Sequence, residues 1–193
     1  MKNFILPLLF VILVTSCKIK VNKNTNHKNN FVSHVDPFIG TGGHGHTYPG
    51  ATVPFGMLQV SPDNGISSWD WCSGYHYSDS IVSGFSHLHL SGTGIGDLAD
   101  ILFMPINKKV DLTTKTTSRD QLPYKSKYSH ANEKATPGSY QVFLEDSKIN
   151  VELTSSQRTA YHKYTFAKND KQSVVVDLGF AINWDKALKT GIT

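Results

Sequence analysis

Apolar and polar positions alternate in short bursts from Phe31 onward, and Gly, Pro, Asn or Asp closes each burst. The runs "VPFGMLQVSP" (residues 53–62), "IVSGFSHLHL" (81–90) and "DILFMPI" (100–106) are short, apolar or alternating, and bounded by turn formers, so they predict strands. "SYQVFLED" (139–146), "KINVELTSSQ" (148–157), "TAYHKYTF" (159–166) and "QSVVVDLGF" (172–180) predict four more. In "INVELT" the period of two puts Ile149, Val151 and Leu153 on one face and Asn150, Glu152 and Thr154 on the other. "EDSK" at 145–148 reads as a tight turn between antiparallel strands. "SVVVDLGF" is apolar throughout its first half, which predicts a deeper strand. No useful amphipathic helix stands out; "NWDKAL" (183–188) predicts a single helical turn, and no repeat has solenoid spacing. Regular short strands with turn signals predict an all-β fold, an antiparallel β-sandwich.

The start of the chain follows different rules. Lys2 precedes "FILPLLFVILV" (4–14), an apolar run too short to span a bilayer as a mature helix. It ends in "VTSC", a lipobox-like ending that predicts cleavage before Cys17 and lipidation of that cysteine. The expected organisation is a signal peptide over 1–16, a lipidated Cys17 with a flexible tether over 17–32, and a sandwich domain over 33–193. "KIKVNKNTNHKNN" is polar and has no apolar periodicity, as a solvated tether requires. The place is then the bacterial cell envelope, on the periplasmic face or the outer-membrane surface, with the membrane as a partner through the lipid.

Charge changes the picture only once the leader is set aside. The chain holds 19 basic and 15 acidic residues, a net charge of +4. Five of the lysines, and no acid, lie in the first thirty residues. The remainder is near neutral, with two arginines, Arg119 and Arg158, and no basic stripe, so no nucleic-acid partner is expected. With Cys17 lipidated, Cys72 has no partner for a disulfide and is expected as a small packed residue, not a nucleophile.

Candidate chemistry gathers in two stretches. "PFIGTGGHGHTYPGATVPFG" (37–56) is glycine-rich, but it lacks a Gly-Lys-Ser/Thr ending and a following helix, which argues against a phosphate loop. His44 and His46 alternate with glycine, and His87 and His89 repeat that spacing in a strand-like run, where i and i+2 share a face. Such pairs suit a transition metal, structural hydrogen bonds or ligand hydroxyls, and the sequence leaves the three open. "SPDNGISSWDWCSGYHYSD" carries Asp63, Trp69, Asp70, Trp71, Tyr75, His76, Tyr77 and Asp79. Aromatic faces for sugar C–H groups beside carboxylates for hydroxyls are what carbohydrate recognition needs; a Trp-rich core with turn aspartates is the other reading. No spacing among Asp63, Asp70, Asp79 and Asp97 singles out a pair of glycosidase carboxylates.

"VDPFIGTGGHGHTYPGATVPFGMLQVSPD" and "WDWCSGYHYSDSIVSGFSHLHLSGTGIGDLADILFMP" closely resemble the amino-terminal domain of glycoside hydrolase family 92, bacterial exo-acting α-mannosidases. The resemblance runs from about residue 35 to 105 and continues more loosely through "TPGSYQVFL" and "VVVDLG". It implies an amino-terminal β-sandwich packed on a larger (α/α)6 barrel, inverting hydrolysis of α-mannosides and a requirement for calcium. In the family the catalytic carboxylates and the principal calcium ligands come from the barrel, so none is expected among these residues. The sandwich lends substrate contacts, which the resemblance places at Trp69, Asp70, Trp71, Cys72, Tyr75 and His76, and at His87, His89 and Asp97. Three readings follow: an amino-terminal piece of an α-mannosidase inactive alone, a lipid-anchored module binding mannose-containing glycans, or a gene remnant. The chain stops at "LKTGIT" directly after a strand, and the expectation is a truncated domain.

Overall fold

The computed structural model describes residues 30–65, 67–113, 116, 118–168, 171–182 and 187–192. The expected signal peptide, Cys17 and nearly all of the tether lie outside the described residues, as do the first four residues of "NWDKAL". Among the described residues no helix is long and apolar enough to cross a membrane.

Among the described residues the helical content is a set of single 3-10 turns, over Phe31–His34, Trp69–Trp71, Arg119–Gln121 and His130–Asn132. The other regular elements described are strands in antiparallel sheets, joined by turns and loops, so the all-β expectation holds. Ala51–Thr52 (β1), Gln59–Asp63 (β2), Gly84–Ser86 (β4), Leu102–Ile106 (β5) and Ser173–Asp177 (β11) make one sheet in the order β1-β2-β4-β5-β11. Glu133–Thr136 (β7), Ser139–Leu144 (β8), Ile149–Ser155 (β9) and Ala160–Thr165 (β10) make a second, in the order β10-β9-β8-β7. Ile81–Val82 (β3) and Ser126–Lys127 (β6) form a two-stranded ribbon.

The hairpin of β8 and β9 is as the alternation requires. Ile149, Val151 and Leu153 are buried while Asn150 and Thr154 are exposed. Across the ladder they face Leu144, Val142 and Tyr140, all buried, with the register fixed by a four-residue turn at 145–148. Lys148 closes that turn in the left-handed region, at φ 56°. This inward row meets Ala51, Val60, Phe85, Leu102, Met104 and Val175 of the five-stranded sheet in one core, which makes the two sheets a sandwich. Burying each such side chain contributes about 1.5–3 kcal/mol, more than the turn chemistry supplies.

Two expectations are corrected. The run 81–90 is not one strand: it pairs with β6 at Ile81–Val82, breaks at Ser83, pairs with β2 and β5 at Gly84–Ser86, and leaves the ladder at His87. The valines of "SVVVDLGF" do not lie deep on both faces. Val175 is in the shared core at 7 % exposed, but Val174 and Val176 point to the opposite face of β11 and are 43 % and 39 % exposed, because no described layer covers that face. An unbroken apolar run signals burial on two faces only where a second layer covers both.

Candidate functional site

The loop from β2 to β3 carries most of the chemistry, and Asn64 fastens its two ends. Its backbone N–H donates to the Gly74 carbonyl at 2.7 Å, its side-chain oxygen accepts from the His76 N–H at 2.7 Å, and its amide donates to the Ile81 carbonyl at 2.7 Å. Gly74 sits at φ 87°, and a Cβ there would lie 2.5 Å from Asp63 Oδ1, so only glycine fits this closure. The glycine-rich segment lies alongside: Tyr77 N–H donates to the Thr41 carbonyl, and the Ser73 hydroxyl to the Thr47 carbonyl.

At the exposed end, Trp69 and Asp70 meet His44 and His46. Asp70 Oδ1 lies 2.6 Å from His44 Nδ1 and 3.2 Å from His46 Nε2. The hydrogen bond from His44, with that from His46, holds the Asp70 carboxyl below its ordinary range. Trp69 donates its indole N–H to the Gly94 carbonyl and sets its ring edge-on to His46, centroids 4.3 Å apart, while 60 % of the residue stays open to solvent. His46 takes φ 54° to reach this place.

Behind this pair, Trp71 stacks on His76 at 4.2 Å, donates to Asp79 Oδ2 at 2.7 Å, and lies under the Arg119 guanidinium, which is itself paired with Asp79. Asp79 and Arg119 thus brace the loop without facing its open end. Cys72, Tyr75 and His89 are buried. Burial pushes the Cys72 thiol up. The Tyr75 hydroxyl donates to Glu133 in the core. His89 Nδ1 donates to the Gln59 carbonyl at 2.7 Å, and its Nε2 lies 3.0 Å from Asp63 Oδ1.

His87 and His89, two residues apart, go to different places. His87 Nδ1 donates to the Ile101 carbonyl at 2.8 Å, and its Nε2 faces His162 Nε2 of β10 at 3.2 Å. Asp97 accepts the Leu98 N–H at 2.7 Å and opens a segment in which Leu98, Ala99 and Ile101 all take positive φ. Three non-glycine residues in that region store backbone strain, which His87 helps to hold through its bonds to Asp100 and Ile101. Of the nine residues expected at the site, Trp69 and Asp70 share one open surface, Trp71 and His76 stack just behind it, and Cys72, Tyr75 and His89 lie beneath. His87 and Asp97 belong to the neighbouring strained segment. Sequence reasoning raised His44 and His46 as a pair but had no signal that they converge on Asp70. It had none for Asn64, Arg119 or Glu133, whose partners are far away along the chain.

Residues 34–193 match the Glycosyl hydrolase family 92 N-terminal domain. A family 92 alpha-mannosidase of Bacteroides thetaiotaomicron, solved alone and in complex with mannoimidazole, is 40% identical, with a TM-score of 0.72 over 78% of this chain and 20% of that one. The structure of a family 92 inverting mannosidase of the same species is 30% identical, with a TM-score of 0.61 over 76% of this chain and 19% of that one. An uncharacterized secreted glycosidase of Arthroderma benhamiae is 29% identical over an alignment of 161 residues that covers 79% of this chain and 20% of the relative. The chain therefore spans about a fifth of the length of the relatives it matches.

Proposed function

The chain belongs to glycosyl hydrolase family 92 through that family's N-terminal domain, and from this we propose that it is the amino-terminal part of an inverting α-mannosidase acting on mannose-containing glycans. It supplies pocket residues and is inactive alone. The likeness to an alpha-mannosidase solved with mannoimidazole carries the reading, and the solvent-open Trp69 ring beside the ionised Asp70 supports it. In this role the Trp69 face packs against sugar C–H groups and excludes water. Asp70 accepts hydrogen bonds from hydroxyls, strong ones because its oxygen is charged. The stack of half-buried Trp71 on buried His76 and the Asp79–Arg119 pair keep both side chains in place. The general acid and general base of an inverting reaction stand on opposite faces of the sugar; this proposal places both in the (α/α)6 barrel, outside this chain.

Calcium is expected of the family. The convergent group among the described residues offers two imidazole nitrogens and one carboxylate oxygen, whereas calcium takes about six to eight oxygens. These residues do not fit it, and the proposal assigns its ligands to the barrel. The location proposed is the cell envelope, by a lipid on Cys17; the apolar leader supports export, as does the secreted relative.

The test is to assay the purified chain for mannose release with calcium present, and to follow its indole N–H resonances as methyl α-mannoside is added. The expected result is no release, with a weak response at Trp69 and none at Trp71. Calcium-dependent release would overturn the reading of an inactive part. Absence of any Trp69 response at saturating sugar would remove the pocket assignment.

A further inference from the structure

His44, His46 and Asp70 come from two loops 24 to 26 residues apart and present one ligand atom each within 4.8 Å of one another. We propose that these three side chains form a binding site for a borderline divalent transition metal such as Zn²⁺. Two imidazoles and one carboxylate are the donor set such ions take, and three protein ligands leave at least one coordination position open. The same set is poor for calcium or magnesium, which take oxygen.

The geometry needs little adjustment. Both imidazole nitrogens already point at Asp70 Oδ1, at 2.6 and 3.2 Å. A metal at about 2.0–2.2 Å from each ligand requires these atoms to spread by less than about 1 Å. His44 can yield that distance, since its side chain is 79% exposed and glycines flank it at Gly43 and Gly45. His46 is the fixed member: its side chain is 6% exposed and its ring is held edge-on by Trp69. The ion takes the place of the hydrogen bonds between the histidines and Asp70, and because a metal ligand must be deprotonated, binding weakens as pH falls. The site stands on these three side chains and does not depend on the mannoside reading.

The probe is Co²⁺ added to the purified chain and followed by visible absorption, with Zn²⁺ as the competitor. One Co²⁺ should bind with the spectrum of a four- or five-coordinate site containing nitrogen. Zn²⁺ should displace it, and calcium in large excess should not. His44→Ala changes an exposed side chain and keeps the fold measurable; it and Asp70→Asn should each weaken Zn²⁺ binding by more than about tenfold with the circular dichroism unchanged. Absence of Co²⁺ binding, an octahedral all-oxygen spectrum, or affinity unchanged in both variants would overturn the proposal.

Discussion

His162 on β10 ties acid sensitivity to one side chain. Burial, with the nearby His87 ring, pushes its pKa down to about 4 from 6.5. A carbonyl can only accept, so His87 carries a proton on Nδ1 toward Ile101 and its Nε2 accepts from His162 Nε2–H; His162 Nδ1 then receives the Tyr164 hydroxyl at 2.8 Å. The folded chain thus uses a neutral His162. The unfolded chain binds the extra proton more readily between pH 6.5 and about 4, so stability is complete above this window and is lost as pH falls through it. At about 1.4 kcal/mol per pKa unit, the full loss is about 3 kcal/mol, and about 2 kcal/mol of it has gone by pH 5. His162→Gln removes the titrating ring and keeps an amide able to serve both neighbours. Urea unfolding of both proteins at intervals between about pH 8 and 5 measures the effect, and the histidines that do not touch His162 cancel in the difference. The stability of the parent relative to H162Q should fall by about 2 kcal/mol over that range. A difference that stays flat refutes the reasoning, because it would mean that His162 is as free to charge in the folded chain as in the unfolded one.

Three further outcomes are expected. Leu144→Ala empties a fully buried place in the β8–β9 ladder and should cost about 2–5 kcal/mol in chemical denaturation, with the size set by how far the cavity collapses. Gly74→Ala puts a Cβ against Asp63 at φ 87° and should cost about 1–3 kcal/mol from backbone strain, with the clash adding to it; a thermal midpoint equal to the parent's would show that this closure is not needed. Trp69→Ala, at a residue 60 % exposed, should move the stability measured by urea unfolding by no more than about 1 kcal/mol, since the ring is held out to solvent and not packed in the core, while methyl α-mannoside binding measured by titration calorimetry is lost.

What could be read from the chain and what could not divide along sequence distance. In β9 the alternation of Ile149, Val151 and Leu153 against Asn150 and Thr154 states its own face, because a strand's period is two and one side must be dry. The valines of β11 misled because three apolar residues in a row do not say how many layers will cover them. The break at Ser83 was missed because the run 81–90 keeps a strand-like mixture of apolar and polar positions while its partner changes from β6 to β2 and β5. At the site, the aromatic and acidic character of 69–79 was plain, whereas the burial of Tyr75 on Glu133, 58 residues away, was not.

Pattern along the chain was enough for the strand-rich class, the β8–β9 hairpin with its inward face, the family, and the stretch in which polar aromatics gather. These depend on local period, turn chemistry and runs of unusual residues, all carried by near neighbours. Packing alone set that Trp69 faces solvent while Tyr75 and His89 go under, that β11 lies at an edge, and that His44 and His46 close on one oxygen of Asp70. Those outcomes depend on which distant segments share a layer, and burial, register and side-chain convergence exist only once the layers have packed.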